Sequence, residues 1–269
     1  FLHRFFDDET DEEAYGQQFR FSTEENDLAI TRVLREYDCP EIDFEISETG
    51  LRLYALRRLN EAEMHVRVTN QIFPNAIIIP ISNDMMLTQW HVPIDDTTSW
   101  WYAIFSSFNE VVDKERMRRD RLELYTLPDY RPRKNRDNDY GYDPDEQQNK
   151  TYTGMGTDIN VHDQWAVESL GRIQDRSQEH LGTTDKAIIG NRKLLMQAIA
   201  AVRQGDAPEI SLRPADPARC RGPVAIDTIA PADTWRETWR KTAVQRRAGS
   251  PWAEHPWPDS VPSSEPVES

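Results

Sequence analysis

The sequence predicts an α+β domain, with a run of short strands forming an antiparallel sheet and a run of helices after it. Three observations carry this. Between Ile42 and Phe108, apolar and polar residues alternate in short segments separated by turn residues. The joins between those segments are too tight for crossover helices, which excludes a βαβ arrangement. Beyond Val161 the apolar residues recur at helical spacing. At 269 residues the chain can hold one large domain or two small ones with a real hydrophobic core.

Asp7 to Glu13 is acidic and reads as a solvated loop. Thr23 to Tyr37 reads as a helix: Thr23 can cap it, Glu24 and Glu25 suit its first turn, and Leu28, Ile30, Val33 and Leu34 are its apolar positions. The strands follow. Leu51, Leu53 and Ala55 alternate with Arg52 and Tyr54; Met64, Val66 and Val68 alternate with His65, Arg67 and Thr69. Ala76 to Ile79 is a continuous apolar run, Thr88, Trp90 and Val92 alternate with Gln89 and His91, and Ser99 to Phe105 is rich in aromatics. Pro74-Asn75, Ser82-Asn83-Asp84 and Asp95-Asp96 supply the turns. Asp113 is placed to cap a charged helix through Tyr125. Pro128 to Lys150 shows no periodicity and reads as a long loop, of the kind that covers a site or is disordered. Ala166, Leu170 and Ile173 share a helical face, with Gly182 as a stop. A second helix starts at Thr184 or Asp185, shows one face at Ile188, Leu195, Ile199 and Val202, and ends at Gly205. After Ala207 the chain is Pro-rich, with an amphipathic piece around Trp235 to Gln245 and a tail expected to be disordered.

The formal net charge of −15 repels nucleic acid, so a DNA- or RNA-binding role is excluded. Cys39 and Cys220 stand alone at no metal-ligand spacing and read as reduced thiols. The longest apolar run, Ala76 to Pro80, is too short to span a bilayer, and no signal peptide opens the chain. A cytoplasmic protein is the default. The first residue is Phe1 rather than Met, which reads as a fragment or a non-native start.

Among the titratable residues, Asp163 stands out. In a helix from Val161 to Gly171 it shares the apolar face of Ala166, Val167 and Leu170. A carboxylate buried there is costly unless it pairs or binds a metal. The alternative is a helix N-cap. His162 points about a quarter turn away. Two histidines and one carboxylate form the facial triad of non-haem iron(II) oxygenases. The residues leave open which of the histidines His3, His65, His91, His162, His180 and His255 would join Asp163.

Several segments in order match one family. They are Phe1-Leu2-His3-Arg4, Glu48 to Leu56 (ETGLRLYAL), Val66 to Asn70 (VRVTN), Gln89 to Asp96 (QWHVPIDD), Tyr152-Thr153-Gly154, and His162 to Asp185 (HDQWAVESLGRIQDRSQEHLGTTD). The chain resembles the catalytic domain of Rieske non-haem iron aromatic-ring-hydroxylating oxygenases, in the phthalate-dioxygenase-like and aromatic O-demethylase branch. The resemblance implies a helix-grip fold (Bet v1-like or START-like), with an antiparallel sheet wrapped around a long carboxy-terminal helix, Thr184–Gln204. It implies residues 1–206 as the iron domain and 207–269 as a Pro-rich extension. His3 matches the second iron histidine and Asp163 the carboxylate ligand. The first histidine and the Rieske domain with its [2Fe-2S] cluster would lie upstream of Phe1, and this chain has no Cys pair to hold such a cluster.

The resemblance also places Arg52, Arg67 and His91 on strands lining a substrate pocket; Trp90, Trp100, Trp101 and Phe105 read either as a slot for a flat ring within that pocket or as core. His180 and Asp185 are expected to fix helix ends, and Asp175 and Arg176 to form an ion pair. The implied activity is O₂-dependent hydroxylation or O-demethylation of an aromatic, carboxylated substrate. An NADH-dependent reductase and a homotrimer are the implied partners, and nucleic acid and membrane are not. Lacking one histidine, the chain by itself is expected to bind iron weakly and without turnover. A ligand-binding helix-grip domain without catalysis is the alternative, and a hydrolytic metal site a third reading.

Overall fold

Alternation at period two puts every second side chain on the same face of a strand, and six consecutive segments obey it. The computed structural model describes residues 3–7, 9–10, 20–23, 26–82, 84–109, 111–210 and 224–251. Strands β3 (Glu41–Ser47), β4 (Gly50–Arg58), β5 (Glu63–Ile72), β6 (Ala76–Pro80), β7 (Met85–Pro93) and β8 (Ser99–Ser107) pair antiparallel in chain order. Before them, β1 (Arg20–Thr23) and β2 (Asn26–Ala29) form a separate hairpin, followed by helix α1 (Ile30–Glu36). The helix expected over Thr23–Tyr37 is therefore confined to its second half. Asn26 and Asp27 are weak helix formers, and their backbone is taken up in the ladder that sets Arg20 opposite Ala29.

Asp113 accepts a bond from the Arg116 amide at 3.0 Å and caps α2 (Lys114–Leu122), which stops short of the expected Tyr125. Tyr125–Thr126 (β9) instead pairs with Arg131–Pro132 (β10). The stretch expected as a loop, 128–150, is ordered by short-range caps. Asn135 caps a 3-10 turn over Arg136–Gly141, and Asp143 caps α3 (Pro144–Asn149), with Pro144 in its first turn. Such side-chain-to-backbone bonds leave no apolar period to read.

Helix α4 spans Ile159–Glu168 and α5 Lys186–Gln204. The stop expected at Gly182 comes earlier: Ser169 caps α4, and Gly171 follows at φ 92°. Gly205, at φ 84°, ends α5 as expected.

The remaining elements are β11 (Ile226–Pro231) and α6 (Trp235–Ala248). β11 makes the main sheet seven-stranded by pairing with β5 over Glu63–Val68, while β6 takes the same edge of β5 at Asn70–Ile72. Residues 224–251 thus belong to the sheet and its core and do not stand apart as an extension beyond residue 206. Cys220, His255 and the tail lie outside the described residues.

Register assigns the two faces. On one, Tyr54 lies opposite Val68 and Leu56 opposite Val66, with Ile226 beside Val68; Trp239 and Ala243 of α6 cover them. On the other, α5 lies against β3 and β4. Its buried positions are Ala187, Gly190 and Leu194. A Cβ on Gly190 would stand 2.6 Å from the Phe44 ring, so only glycine permits this approach. The face expected at Ile188, Leu195, Ile199 and Val202 is largely turned to solvent, with Val202 61 % exposed, because close contact selects the small residues. No helix among the described residues is long and apolar enough to cross a membrane.

Candidate metal centre

His3 is carried by a short segment pinned to the middle of the chain. Phe5, fully buried, bridges to Thr151; the Phe6 amide donates to the Lys150 carbonyl at 3.1 Å, and the Tyr152 amide to the Arg4 carbonyl at 3.2 Å. Phe6 stacks on Tyr152. This clamp sets His3 beside α4. Asp158 caps that helix, accepting from the Asn160 amide at 2.7 Å. Asp163, five residues further along, is therefore not the cap, and that alternative falls.

His3 Nε2 lies 3.1 Å from Asp163 Oδ1, with the side chains 31 % and 41 % exposed. Two donors on metal bonds of about 2.1 Å set at a right angle stand about 3.0 Å apart. The pair thus fits adjacent positions on one ion and leaves its solvent side open. Imidazole plus carboxylate is a donor set suited to a first-row divalent metal. Among the described residues no group of three or more His, Cys, Asp or Glu side chains is arranged to hold a metal.

His162 is fully buried on the inner side of α4. Its Nε2 lies 2.8 Å from the Gly156 carbonyl oxygen and its Nδ1 3.5 Å from His3 Nδ1; the two rings stack with centroids 5.7 Å apart. Burial pushes the His162 ring below the ordinary imidazole range, against the opposing bond to Gly156. His162 faces the nitrogen of His3 that points away from Asp163, so it does not complete the ligand set.

His91 stacks on Trp101 at 5.5 Å. The ring is exposed at the end of β7, yet partial desolvation lowers its pKa, opposed by the charge of Asp163, which stands close enough to act on it. His91 therefore belongs to the neighbourhood of the centre. Arg67 shares its face of the sheet but not its end. Ala76 pairs with both Ile72 and Trp90, so His91 lies one step past the end of β5, six residues or about 20 Å along the strands from Arg67. Arg67 is bound to Asp227 at 2.7 Å, and Asp227 in turn to the buried His65 at 3.0 Å.

Arg52 and Trp90 have the opposite parity and point to the α6 face. Arg52 pairs with Glu45 and lies over the Trp239 ring, and Trp90 packs against Ile72, Ala76 and Ile78. The same alternation divides Trp100 from Trp101 and Phe105, so these aromatics form no single slot. Trp101 lies against His91, whereas Phe105 packs on Ile81, Met85 and Leu87. Asp175 caps the turn at Arg176–Gln178 by accepting from Ser177, instead of pairing with Arg176. Arg192 grips Glu179 through both its terminal nitrogens, tying the 172–185 segment to α5. Asp185 accepts from the Gly182 amide at the start of α5, and His180 is exposed. A cleft of about 450 Å³, lined by Tyr140, Tyr142, Tyr152, Met155 and Trp165 among others, opens beside α4. Neither His3 nor Asp163 lines it, and the ligand chemistry sides with those two.

Sequence reasoning missed the partnership of His162 with Gly156 and the buried Arg57–His65–Asp227–Arg67 chain. Asp227 carried a signal: an acid inside the apolar run Ile226 to Ala230.

The LigXa C-terminal domain like family matches residues 23–252. The chain belongs to this family. Curated relatives of this LigXa-type domain include the phthalate 4,5-dioxygenase oxygenase subunit of Pseudomonas putida, 30 % identical over 179 residues, or 62 % of this chain and 40 % of that protein. The phenoxybenzoate dioxygenase subunit alpha of Ectopseudomonas oleovorans is 27 % identical over 174 residues, 63 % of this chain and 36 % of that one. The LigXa-type chain therefore spans about two-fifths of the length of these relatives. The resemblance to a Rieske oxygenase catalytic domain is borne out.

Proposed function

We propose that this chain is the catalytic part of an aromatic-ring oxygenase, holding iron(II) through His3 and Asp163. The observation that carries the reading is the convergence of His3 Nε2 and Asp163 Oδ1 at 3.1 Å on a half-open surface. The dioxygenase names of the relatives support it. When bound, iron(II) supplies O₂ activation beside an aromatic substrate. The chain's own residues bind and orient. His3 and Asp163 hold adjacent positions, and His91 stacked on Trp101 offers a flat, polar-edged wall near them. Arg67, paired with Asp227 at the far end of the face, lies too distant to meet the carboxylate of a substrate held at His3 and Asp163. The reaction is ring hydroxylation or O-demethylation. Electrons come from an NADH-dependent reductase through a [2Fe-2S] cluster outside this chain, in a cytoplasmic homotrimer.

Anaerobic Fe²⁺ titration tests the ligands. This chain is expected to bind weakly, and a longer chain that supplies a further histidine ligand tightly. Asp163→Ala should abolish binding in both. Undiminished iron in that variant overturns the assignment and leaves a non-catalytic ligand-binding domain. Product analysis of the extended protein with benzoate-, phthalate- and methoxybenzoate-type compounds then separates hydroxylation from demethylation.

A further inference from the structure

We infer that His162 is a positioning residue that fixes which ring nitrogen His3 presents to the metal. The inference rests on the iron reading above. A carbonyl oxygen only accepts, so the 2.8 Å contact with Gly156 places the hydrogen of His162 on Nε2. The other nitrogen of His162, Nδ1, is turned to His3 Nδ1 at 3.5 Å, with the two ring planes 16° apart. A metal on His3 Nε2 leaves the ring hydrogen of His3 on Nδ1, where His162 Nδ1 accepts it. His3 Nε2 and the Asp163 carboxylate, 3.1 Å apart, then both present lone pairs to the ion. The relay from the Gly156 carbonyl through His162 to His3 thus sets which nitrogen of His3 is free to bind a metal. Metal-binding histidines commonly have their second nitrogen held by such an outer partner.

The start of the relay is rigid. The Gly156 amide donates to Glu146 Oε1 at 2.7 Å, and Lys134 Nζ donates to the adjacent Met155 carbonyl at 2.7 Å. Gly156 sits at φ 86°, and a Cβ there would meet Lys134 Nζ at 2.8 Å. Glu146 also accepts from Thr151, the residue that bridges to Phe5. One glutamate therefore braces both the carbonyl that orients His162 and the segment that carries His3.

The test compares this chain with His162→Phe, which keeps the ring volume and removes both nitrogens, and with His162→Asn, whose side-chain oxygen can still accept near the Nδ1 position. With anaerobic Fe²⁺, His162→Phe is expected to weaken binding about 10- to 100-fold, and His162→Asn to recover most of the loss. Long-range ¹H–¹⁵N spectra of the ring nitrogens provide a readout that a purely structural role would not move. With Zn²⁺ bound to the unsubstituted chain, His162 should carry its hydrogen on Nε2 and His3 on Nδ1. His3 carrying its hydrogen on Nε2, or a folded His162→Phe protein binding Fe²⁺ like the parent while Asp163→Ala does not, overturns this inference alone. Unchanged binding in Asp163→Ala instead overturns the iron reading beneath it. Should His162→Phe fail to fold, the spectra of the unsubstituted chain decide.

Discussion

His65 has no solvent exposure and lies between Arg57 at 3.4 Å and Asp227 at 3.0 Å. Burial lowers its pKa from the ordinary 6.5, overcoming the pull of Asp227. In the unfolded chain the ring takes up a proton near pH 6.5, while the folded protein keeps it neutral. Below that pH the unfolded state binds the extra proton, so stability falls as pH drops, by up to about 1.4 kcal/mol per pH unit for one group. Above it the ring is neutral in both states and contributes no slope. Urea midpoints at pH 5.5 and 7.5 should therefore differ, and the difference should shrink in His65→Gln.

The same scale shows what the sequence could not tell about the metal centre. Asp163 drew notice on an expected apolar face, yet Val167 on that face is 68 % exposed, and the buried side of α4 carries Val161 and His162. What singles out Asp163 is a partner 160 positions away, brought near by the Phe5–Thr151 bridge. Local periodicity holds no information about such a contact. Only the motif resemblance pointed to both residues.

At the level of elements, β3 to β8 were legible because apolar and polar residues alternate along several of them and Pro, Asn and Asp mark the turns at Pro74-Asn75, Ser82-Asn83-Asp84 and Asp95-Asp96. The limits of α5 were legible for a similar reason, through Gly205. Its orientation was not. Counting large apolar residues favours Ile188, Ile199 and Val202, whereas contact with β3 and β4 is made through Ala187, Gly190 and Leu194. Gly190→Val tests this directly. Its side chain must displace Phe44 and Leu51, and the variant is expected to lose about 1–3 kcal/mol in chemical denaturation. A helix packed through its large residues would show little change. The β1–β2 hairpin and the caps within 128–150 escaped prediction because backbone pairing and Asx bonds, not burial, organise them.

For the whole molecule, the sheet and its α6 covering form one cooperative unit. Tyr54, Val66 and Val68, with Ile226 of β11 beside them, are buried beneath Trp239 and Ala243. Ending the chain at residue 206 removes β11 and α6 and uncovers that cluster. The shortened protein should lose its cooperative thermal transition and bind a hydrophobic dye, as followed by circular dichroism and fluorescence. Retention of a sharp transition would mean that residues 1–206 fold alone.

The insertion of β11 beside β5 also sets a timetable for synthesis. β5 lies within the first third of the chain, but the partner of its Glu63–Val68 stretch is delivered some 160 residues later. Until then a ribosome-bound intermediate displays a bare strand edge above an uncovered apolar face, the two features that recruit unwanted neighbours. Pairings so distant in sequence are also slow to form, because a long loop must close before they give any return. The nascent chain therefore passes through a sticky phase that ends only when α6 emerges. Its yield on expression should depend on translation speed and chaperone supply more than the stability of the finished sheet would suggest.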